Sequence, residues 1–431
     1  MVGLIDCDNF FCSCERVFRP DLATKPIVVL SNNDGCVVAR SREVKAMGIP
    51  DCMPYYQLQS RYPDAGITAF SSNYALYGDM SARVIAILRE EVPEVAQYSI
   101  DEAFLDLEGM DGIDLAEWGR NLCRKVQRCT GIPVSLGIAP TKTLAKVASK
   151  YAKRYPGYRK CCVIATEEQR TAALRLFPVA DVWGIGRRIA RTLNYYGVAT
   201  ALDFCRQPRD WVKRLFHITG VRTWAELNGE SVITIDALDS TTKQTIMTSR
   251  SFPAMISDPD DLRSHIANHA ARCAMKLRRQ HSACSLVTAF IQSNHFRDDL
   301  PQYDQSGSHS FTTPTNTTSE IVAAADSILA RIFRKGIYYK RAGVMVAGIS
   351  DASAIQPDLF DYDPLRSDKL IRLSTALDKI NLRHGADTLM LGSQQYRERD
   401  DDGRSVRFVN AIRRAMKSPD YTTRLGAFKV G

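Results

Sequence analysis

The sequence contains no run of 18 apolar residues, no Cys-x-x-Cys motif and no cluster of cysteines with histidines. The first absence argues against a membrane-spanning helix, which needs about 20 consecutive apolar residues. The other two argue against a zinc site, so we expect the twelve scattered cysteines to be reduced thiols. The N-terminus also lacks the basic and apolar segments of a secretion signal. Together these absences predict a cytoplasmic protein that does not enter a membrane.

Acidic residues are missing altogether from residues 118 to 166. The basic residues of that segment are Arg120, Arg124, Lys125, Arg128, Lys142, Lys146, Lys150, Lys153, Arg154, Arg159 and Lys160. The whole chain has 431 residues, 45% of them hydrophobic, and a net charge of +9. That length predicts three or four domains with cores of their own, and that charge suits a polyanionic partner. The acid-free segment is either a solvated charged face or, as its length favours, a surface that contacts phosphate.

Two adjacent carboxylates, Asp101 and Glu102, interrupt the otherwise strand-like residues 98 to 107. Ionised carboxylates leave water only when they are paired or bound to a metal. Asp6 ends another apolar run and offers a third carboxylate. Two-metal sites are bridged by carboxylates, and Mg²⁺ prefers such oxygen ligands. These residues therefore predict a divalent metal site, although the pair would equally suit a surface hairpin turn.

Two motifs resemble the paired catalytic motifs of Y-family translesion DNA polymerases. They read LIDCDNFFCSCE at residues 4 to 15 and YSIDEAF at residues 98 to 104. Two further segments, LSNNDGCVVAR at 30 to 40 and FSSNYALY at 70 to 77, resemble the catalytic subunits of bacterial DNA polymerase V (UmuC-like). The resemblance covers nearly the whole chain and is strongest over its first 110 residues.

The resemblance implies an α+β multidomain fold shaped as a right hand. The implied domains are a palm at 1–18 and 74–165, fingers at 19–73, a thumb at 166–232, a linker at 233–242, a little finger at 243–350 and a clamp- and partner-binding C-terminal region at 351–431. Within the little finger, strands at 243–252, 283–293, 308–312 and 340–350 and helices at 258–280 and 318–335 predict a β-α-β-β-α-β order. Such an order makes one sheet with two helices on one face.

The resemblance also assigns roles to residues of the first two motifs. Asp6, Asp101 and Glu102 would be catalytic and would bind two Mg²⁺ ions, together with the backbone carbonyl of Cys7. Asp8 stays outside this set, because the family varies there. The residues expected to bind the incoming nucleotide are Phe10, Phe11, Lys45 and Lys153. Phe11 would exclude a 2′-hydroxyl by collision, and the alternative is that its ring only faces the core.

Residues 140 to 153 predict an amphipathic helix with Thr141 as its N-cap. Its lysines near one face are Lys142, Lys146, Lys150 and Lys153. Neighbouring like charges repel one another, so an anion that neutralises them would stabilise this arrangement. The alternative is an ordinary solvated lysine face.

Residues 178 to 193 resemble a helix-hairpin-helix, with Gly184 and Gly186 in its turn and Arg187 and Arg188 beside it. Such a turn exposes backbone N–H groups at a helix N-terminus, which bind a DNA phosphate without reading sequence. A Gly-x-Gly turn also serves as a plain tight connection. The arginines favour the interpretation as a DNA contact.

Residues 354 to 360 read AIQPDLF and resemble the Gln-x-x-Leu-Phe peptide that binds a sliding clamp. The matching side chains are Gln356, Leu359 and Phe360, while Pro357 stands where leucine is commonest. The alternative is a loop that packs on its own domain.

The resemblance as a whole implies an error-prone translesion DNA polymerase of an SOS-type DNA damage response. Its implied partners are primer-template DNA, deoxynucleoside triphosphates, a dimeric processed mutagenesis subunit (UmuD-like), a recombinase filament and the sliding clamp. Two other functions would use some of the same features: a structure-specific two-metal nuclease and a non-catalytic DNA-binding subunit. Phe10 and Phe11 and the little-finger pattern argue against the nuclease, and the three carboxylates argue against the non-catalytic subunit.

Overall fold

A computed structural model describes residues 1–110, 112–233, 242–358, 363–394, 396–399, 405–408 and 414–419. The chain divides into two compact units, one of Met1–Ser240 with Arg414–Gly431 and one of Thr241–Arg413. Among the described residues no helix is both long enough and apolar enough to cross a membrane. All twelve cysteines fall within the described ranges, and each is a free thiol, as expected.

The first unit contains a five-stranded sheet, a three-stranded sheet and a group of helices. In chain order its elements are β1 (Val2–Cys7), α1 (Phe10–Val17), β2 (Ile27–Leu30), β3 (Val37–Arg40), α2 (Arg42–Ala46), α3 (Tyr55–Arg61), β4 (Thr68–Ser71), α4 (Tyr74–Glu91), β5 (Val95–Gln97), β6 (Glu102–Asp106), α5 (Leu115–Thr130), β7 (Val134–Ala139), α6 (Lys142–Arg154), β8 (Cys161–Val163), α7 (Glu167–Leu176), α8 (Arg187–Tyr195), α9 (Ala201–Cys205) and α10 (Arg209–Leu227).

The five-stranded sheet has the order β5-β6-β1-β7-β8, so β1 lies at its centre between two antiparallel neighbours. Successive residues of a strand point to opposite faces. Ile5 therefore joins the core beneath α1, α4 and α5, while Leu4 joins the core shared with α6 and the helices that follow β8. Because both faces are covered, the strand reads as an almost unbroken apolar run until Asp6.

The three-stranded sheet has the order β3-β2-β4, with β2 antiparallel to β3 and parallel to β4. All four residues of β2 are fully buried. Val28 and Leu30 pack with residues of α2 and α3 into a small core, whereas Ile27 and Val29 face the larger core under α1 and α4. Ser41 stands at the N-cap of α2, as its position suggests, but its hydroxyl accepts a hydrogen bond from the Ile27 N–H instead of from the helix.

Helix α6 begins at Lys142 with the Thr141 hydroxyl accepting the Leu144 N–H, which confirms the predicted cap. The sequence pattern predicts a helix from Ser81 to Val92, but α4 begins seven residues earlier, at Tyr74. Asn73 caps it, since its side-chain oxygen accepts the Leu76 N–H at 3.4 Å.

The second unit contains a four-stranded antiparallel sheet of order β11-β10-β12-β9. Its elements in chain order are β9 (Ile246–Ile256), α11 (Pro259–Arg279), β10 (Ser282–Ser293), β11 (Asp304–Thr315), α12 (Thr318–Ile332), β12 (Tyr339–Asp351), α13 (Pro364–His384), β13 (Tyr396–Arg399) and β14 (Ser405–Phe408). The predicted β-α-β-β-α-β order is confirmed, and α11 and α12 pack on the sheet around one apolar core. Strand β11 is longer than the predicted 308–312, because Asp304, Gly307 and Pro314, which are residue types depleted in strands, weaken the signal at both ends.

Candidate active site

The carboxylates of Asp6, Asp101 and Glu102 meet where β1 ends and β6 begins. Asp6 on β1 is the direct cross-strand partner of Glu102 on β6. Asp101 comes immediately before β6, and its carbonyl accepts the Cys7 N–H at 2.8 Å. Antiparallel pairing thus brings together side chains that are almost a hundred residues apart in the sequence.

Ser99 organises the turn that carries this pair. Its hydroxyl oxygen accepts the backbone N–H groups of Asp101 and Glu102 at 3.2 and 3.0 Å, and its hydroxyl donates to Asp101 Oδ1 at 2.6 Å. The two carboxylates do lie in a hairpin connection, between β5 and β6, but both are only partly exposed. The turn therefore holds both carboxylates partly out of water, unlike a fully solvated surface loop.

Two lysines of α6 face these carboxylates. Lys146 Nζ contacts both carboxylate oxygens of Glu102 at 3.0 Å and lies 4.5 Å from the centre of the Tyr98 ring. Lys153 Nζ pairs with Asp6. Helix α6 thus supplies positive charge directly above the carboxyl cluster.

Burial dominates the electrostatics of this cluster. It raises the pKa of the Asp6 carboxyl to about 6, although Lys153 acts in the opposite direction and the charges of Glu102 and Asp101 add to the rise. Burial by itself would lower the pKa of Lys153, but the attraction of Asp6, Asp8 and Asp101 outweighs it and holds that pKa above its usual value. An anionic cluster in a partly dry site favours a cation.

The donor set fits a divalent cation that prefers oxygen ligands. Three carboxylates reach one edge of the sheet, and the charges of Glu102 and Asp101 raise the pKa of Asp6, which is the repulsion that a bound cation relieves. Within the described ranges no three His, Cys, Asp or Glu side chains already converge as a complete metal site. The ammonium groups of Lys146 and Lys153 instead pair with Glu102 and Asp6.

Asp8 lies next to this set, since Lys153 Nζ, which pairs with Asp6, is also 3.7 Å from Asp8 Oδ1. Two other groups bind Asp8 more closely. The Ser135 hydroxyl donates to both of its oxygens at 3.0 and 3.2 Å, and Lys160 Nζ contacts Oδ2 at 2.6 Å. Sequence reasoning missed these two partners, as it missed Ser99 and the contact between Lys146 and Glu102. Only the acid-free composition around Lys146 and Lys160 hinted at a role for their charges.

The two phenylalanines at the start of α1 differ in their surroundings. Phe10 is buried, whereas Phe11 is half-buried and stacks on Tyr77 with 4.4 Å between ring centres. The Tyr74 ring meets Phe11 edge-on at 5.9 Å. The start of α4 therefore supports one face of the Phe11 ring.

Lys45 lies on the short helix α2, and its ammonium group donates to Asn9 Oδ1 at 2.5 Å. Asn9 itself stands at the N-cap of α1 with a positive φ of 48°. This contact brings Lys45 next to the turn that follows Asp6 and Asp8.

The four lysines of α6 do not form one open face. Lys142 is only 1% exposed, and its ammonium group donates to the Ile233 carbonyl at 2.8 Å. Lys150 donates to the Asp181 carbonyl at 2.7 Å. The expectation that a bound anion neutralises all four is wrong for Lys142, because its charge is satisfied inside the protein.

The Gly-x-Gly turn precedes α8, with Gly184 at a φ of 92° and Gly186 at the N-cap position. A side chain at Gly184 would collide with Thr223, since its Cβ would lie 2.5 Å from the threonine hydroxyl oxygen. Arg187 and Arg188 open α8, and both are exposed. The turn thus presents backbone N–H groups and arginines on the same surface.

The expected clamp-binding residues are only partly covered by the structure. Gln356 is exposed, and the neighbouring Asp358 N–H donates to the Thr313 hydroxyl at 2.9 Å. Leu359 and Phe360 lie outside the described residues.

Comparisons with known proteins cover almost the whole chain. Residues 5–150 match the impB/mucB/samB family, residues 243–359 match the impB/mucB/samB family C-terminal domain, and residues 372–428 match a domain of unknown function (DUF4113). The chain is 40% identical to the protein UmuC of Salmonella typhimurium over 98% of both chains. It is 41% identical to the protein ImpB of Salmonella typhimurium, over 88% of this chain and 90% of that protein.

More distant likenesses agree with these. The chain is 25% identical to DNA polymerase IV 1 of Bacillus subtilis, over 91% of this chain and 93% of that protein. Among solved structures, it resembles a Y-family DNA polymerase chimera of Dbh and Dpo4 with a TM-score of 0.66 at 20% identity, over 81% of this chain and 98% of that one. This structural similarity shows that the chain has the right-hand fold of those polymerases.

Proposed function

The chain belongs to the impB/mucB/samB family and has the fold of Y-family DNA polymerases, and from that premise we propose how its residues carry out nucleotide addition. It is an error-prone translesion DNA polymerase, and it uses a divalent metal. We propose that the metal is Mg²⁺, bound as two ions. The observation that carries this proposal is the meeting of Asp6, Asp101 and Glu102 at one edge of the sheet.

In the proposed reaction the primer 3′-hydroxyl attacks the α-phosphorus of a deoxynucleoside triphosphate, and pyrophosphate leaves. Asp6, Asp101 and Glu102 would hold the ions with the Cys7 carbonyl. Bound there, the ions would neutralise charge on the attacking and leaving oxygens. Ser99 holds Asp101 and Glu102 in place before substrate arrives, so little reorganisation is needed.

Positive side chains would orient the triphosphate. Lys153 already lies against Asp6, and Lys45 lies against Asn9 close to the following turn. We propose that both exchange these contacts for phosphate oxygens. Such positioning, together with charge neutralisation, accounts for most of the catalysis in phosphoryl transfer.

Phe10 and Phe11 would lie under the sugar of the incoming nucleotide. Phe11 is the side chain proposed to meet the sugar, because it keeps part of its ring exposed while Tyr77 supports the other face. A 2′-hydroxyl pressed against this ring would lose water without gaining a hydrogen-bond partner.

We also propose which residues form each domain of the polymerase. Residues 1–18 and 74–165 would be the palm, 19–73 the fingers, 166–232 the thumb, 233–242 the linker, 243–350 the little finger and 351–431 the clamp- and partner-binding region. Primer-template DNA would contact the backbone N–H groups of Gly184 and Gly186 and the side chains of Arg187 and Arg188. Most of the linker, residues 234–241, lies outside the described residues.

The proposed partners beyond DNA and nucleotide are a dimeric processed mutagenesis subunit, a recombinase filament and the sliding clamp. Gln356, Leu359 and Phe360 would bind the clamp. These assemblies would act in the cytoplasm during the response to DNA damage. Support for them is the 40% identity to UmuC over nearly the full length of both chains.

Primer extension over an abasic template with Mg²⁺, with and without the partners, tests the proposed chemistry. We expect Asp101→Asn and Glu102→Gln to abolish extension and to leave primer-template affinity within a few-fold, because DNA affinity comes mostly from phosphate contacts. Glu108→Gln, a change of an exposed carboxylate just beyond β6, is the matched control and should extend normally. Wild-type extension by the doubly substituted chain would refute the metal assignment.

A further inference from the structure

Residues Arg414–Pro419 dock on the three-stranded sheet of the first unit, at the edge formed by β4. The Ser71 N–H donates to the Met416 carbonyl at 3.0 Å, and the Met416 N–H donates to the Ser71 hydroxyl at 2.9 Å. Met416 also packs on the small core of this sheet, with its sulfur 3.5 Å from the Tyr55 hydroxyl. The segment thus covers the end of β4 through one backbone hydrogen bond and one bond to a side chain, without adding a strand to the sheet.

The docked segment also reaches the loop between β2 and β3. The Ala415 N–H donates to Asp34 Oδ2 at 2.9 Å. Asn33 and Asp34 both have positive φ, at 62° and 53°, which is a strained conformation for residues other than glycine. A contact from the docked segment therefore stabilises a loop that the backbone alone disfavours.

Ser418 connects the segment to the start of α4. Its hydroxyl oxygen accepts a hydrogen bond from the Asn73 side-chain amide at 3.0 Å. The same side chain lies close enough to the Glu15 carboxylate to oppose the rise in pKa that burial causes there. Asn73 is the N-cap of α4, the helix that carries Tyr74 and Tyr77. One hydroxyl from the end of the chain thus touches both the cap of α4 and a residue of α1.

Glu15 is a buried carboxylate, so its neighbours affect the stability of this region. The residue is 1% exposed, and its other hydroxyl partner is Tyr77, whose OH donates to Glu15 Oε1 at 2.7 Å. A carboxylate removed from water is costly unless hydrogen-bond donors satisfy it. Tyr77 in turn stacks on Phe11 at 4.4 Å. Contacts therefore run without a break from Ser418 through Glu15 and Tyr77 to the Phe11 ring.

We propose that Arg414–Pro419 is an intrachain clasp and that Ser418 is a positioning residue for sugar selection. The clasp covers the end of β4, and Ser418 bonds to Asn73 and lies beside Glu15, so that Tyr77 supports Phe11 in one orientation. This inference rests on the proposed function, because it takes Phe11 to be the side chain that meets the sugar. Without the Ser418 hydroxyl the Phe11 ring would gain freedom, and the polymerase would admit ribonucleotides more readily.

The test compares Ser418→Ala with Ser418→Thr in the full-length chain. Thr keeps a hydroxyl at the same position, so it is the matched control. We measure kcat/KM for deoxyribonucleotides and ribonucleotides on one primer-template, and amide hydrogen exchange at Leu76 and Tyr77, whose N–H groups bond to Asn73. We expect Ser418→Ala to reduce the preference for deoxyribonucleotides roughly tenfold, the scale of one hydrogen bond, and to speed exchange at both amides.

Three outcomes would overturn the proposal. Unchanged exchange in Ser418→Ala would mean that the hydroxyl does not hold α4. Faster exchange with an unaltered sugar preference would mean that the clasp only stabilises the fold. Equal effects of Ala and Thr would mean that the hydroxyl is not the group that matters.

A second variant tests the clasp without relying on one side chain. A chain ending at Arg413 should show faster exchange at the Ser71 amide and the same loss of sugar preference as Ser418→Ala, or a greater one. If the unaltered chain extends no primer even with the proposed partners, the proposed function is refuted, and the exchange measurements decide the clasp independently. Protection of the Ser71 amide that survives the truncation would refute the clasp itself.

Discussion

At the scale of single residues, Phe11 has a support that a core residue would not need. A ring that only filled the core would be enclosed on all sides, whereas this one rests on Tyr77 and Tyr74 and stays partly exposed. The stacked and edge-on contacts fix the plane of the ring. A fixed, partly exposed ring is the arrangement that a steric test of the sugar requires.

Phe11→Ala separates the two interpretations of this residue. If Phe11 is a steric gate, a side chain that excludes the 2′-hydroxyl, ribonucleotide incorporation should rise by orders of magnitude relative to deoxyribonucleotide incorporation. A core residue predicts a loss of about 3–5 kcal/mol of stability with the sugar preference unchanged. The measurements are kcat/KM for both nucleotide types and a thermal melt of the variant. An unaltered sugar ratio in a well-folded variant would rule the gate out.

The sequence could indicate which carboxylates matter, but not what they touch. Asp6, Asp101 and Glu102 stand out because acids interrupt apolar strands, which is a local signal. Ser99 acts through a local turn that no composition reveals, and Lys146 meets Glu102 only because α6 packs on the sheet. Contacts of this second kind depend on tertiary packing and have no counterpart in residue spacing.

At the scale of elements, the end of α10 is tied to the start of α6 by one buried carboxylate. Glu226 is fully buried and accepts the backbone N–H groups of Thr143, Val232 and Ile233 at 3.0, 3.0 and 3.1 Å. The Lys142 ammonium group bonds to the carbonyl of the same Ile233 at 2.8 Å. The helix that carries Lys146 and Lys153 is therefore anchored at its N-terminus by the helices proposed to form the thumb.

We expect Glu226→Ala to destabilise the first unit by about 1–3 kcal/mol, the cost of leaving one buried donor without an acceptor, because the buried Thr143 N–H loses its partner. Val232 and Ile233 are less buried, so water can replace the carboxylate at their N–H groups. Urea denaturation measures the effect. Glu230→Ala, which changes an exposed glutamate on the same segment, is the control and should shift stability by less than about 0.5 kcal/mol. Equal stabilities of the two variants would show that the carboxylate is dispensable.

The segment around Gln356 carries a separate prediction. Replacing Leu359 and Phe360 by Ala should weaken clamp binding and clamp-dependent synthesis and leave distributive synthesis unchanged, because each fully buried apolar anchor contributes roughly 1.5–3 kcal/mol. Leu365→Ala is the control, since Leu365 is 84% exposed and lies outside the motif. Titration of the clamp decides the question, and an unchanged affinity would mean that the segment is only a loop.

Elements were predictable where local chemistry decides them. The cap at Thr141 and the periodic apolar pattern of α6 lie within a few residues of each other, and the predicted helix is confirmed. The pattern predicts the start of α4 too late, because the first turn after its cap, Asn73, contains Tyr74 and Tyr77, and aromatic residues are weaker helix formers than leucine or alanine. The predicted range of β11 is too short, because pairing with β10, and not its own composition, determines the length of this strand.

At the scale of the whole molecule, many positive charges already have acidic partners inside the protein. Lys125 pairs with Glu90 and Glu91, and Arg19 pairs with Asp21. The net charge of +9 therefore does not by itself show which part of the surface attracts DNA. Exposed arginines that open a helix, such as Arg187 and Arg188, remain the better candidates for phosphate contact.

The salt dependence of DNA binding tests this distinction. The logarithm of the primer-template affinity should fall linearly with the logarithm of salt concentration. Replacing Arg187 and Arg188 by Ala should reduce that slope by about 1 to 2 and weaken binding equally for different sequences. Arg19→Ala removes an arginine that Asp21 already neutralises, so its slope should match that of the unaltered chain. Equal slopes for all three proteins would exclude the turn from the DNA contact.

The docking of Met416 beside Ser71 sets an order of events during protein synthesis. The two residues are 345 positions apart. At roughly 5–20 residues per second, about 20 to 70 seconds pass on the ribosome between the making of β4 and the making of the segment that covers it. Throughout that interval the Ser71 N–H and the Asn73 side-chain amide lack the acceptors that the segment will bring, so the first unit cannot complete these contacts until synthesis has passed Ser418.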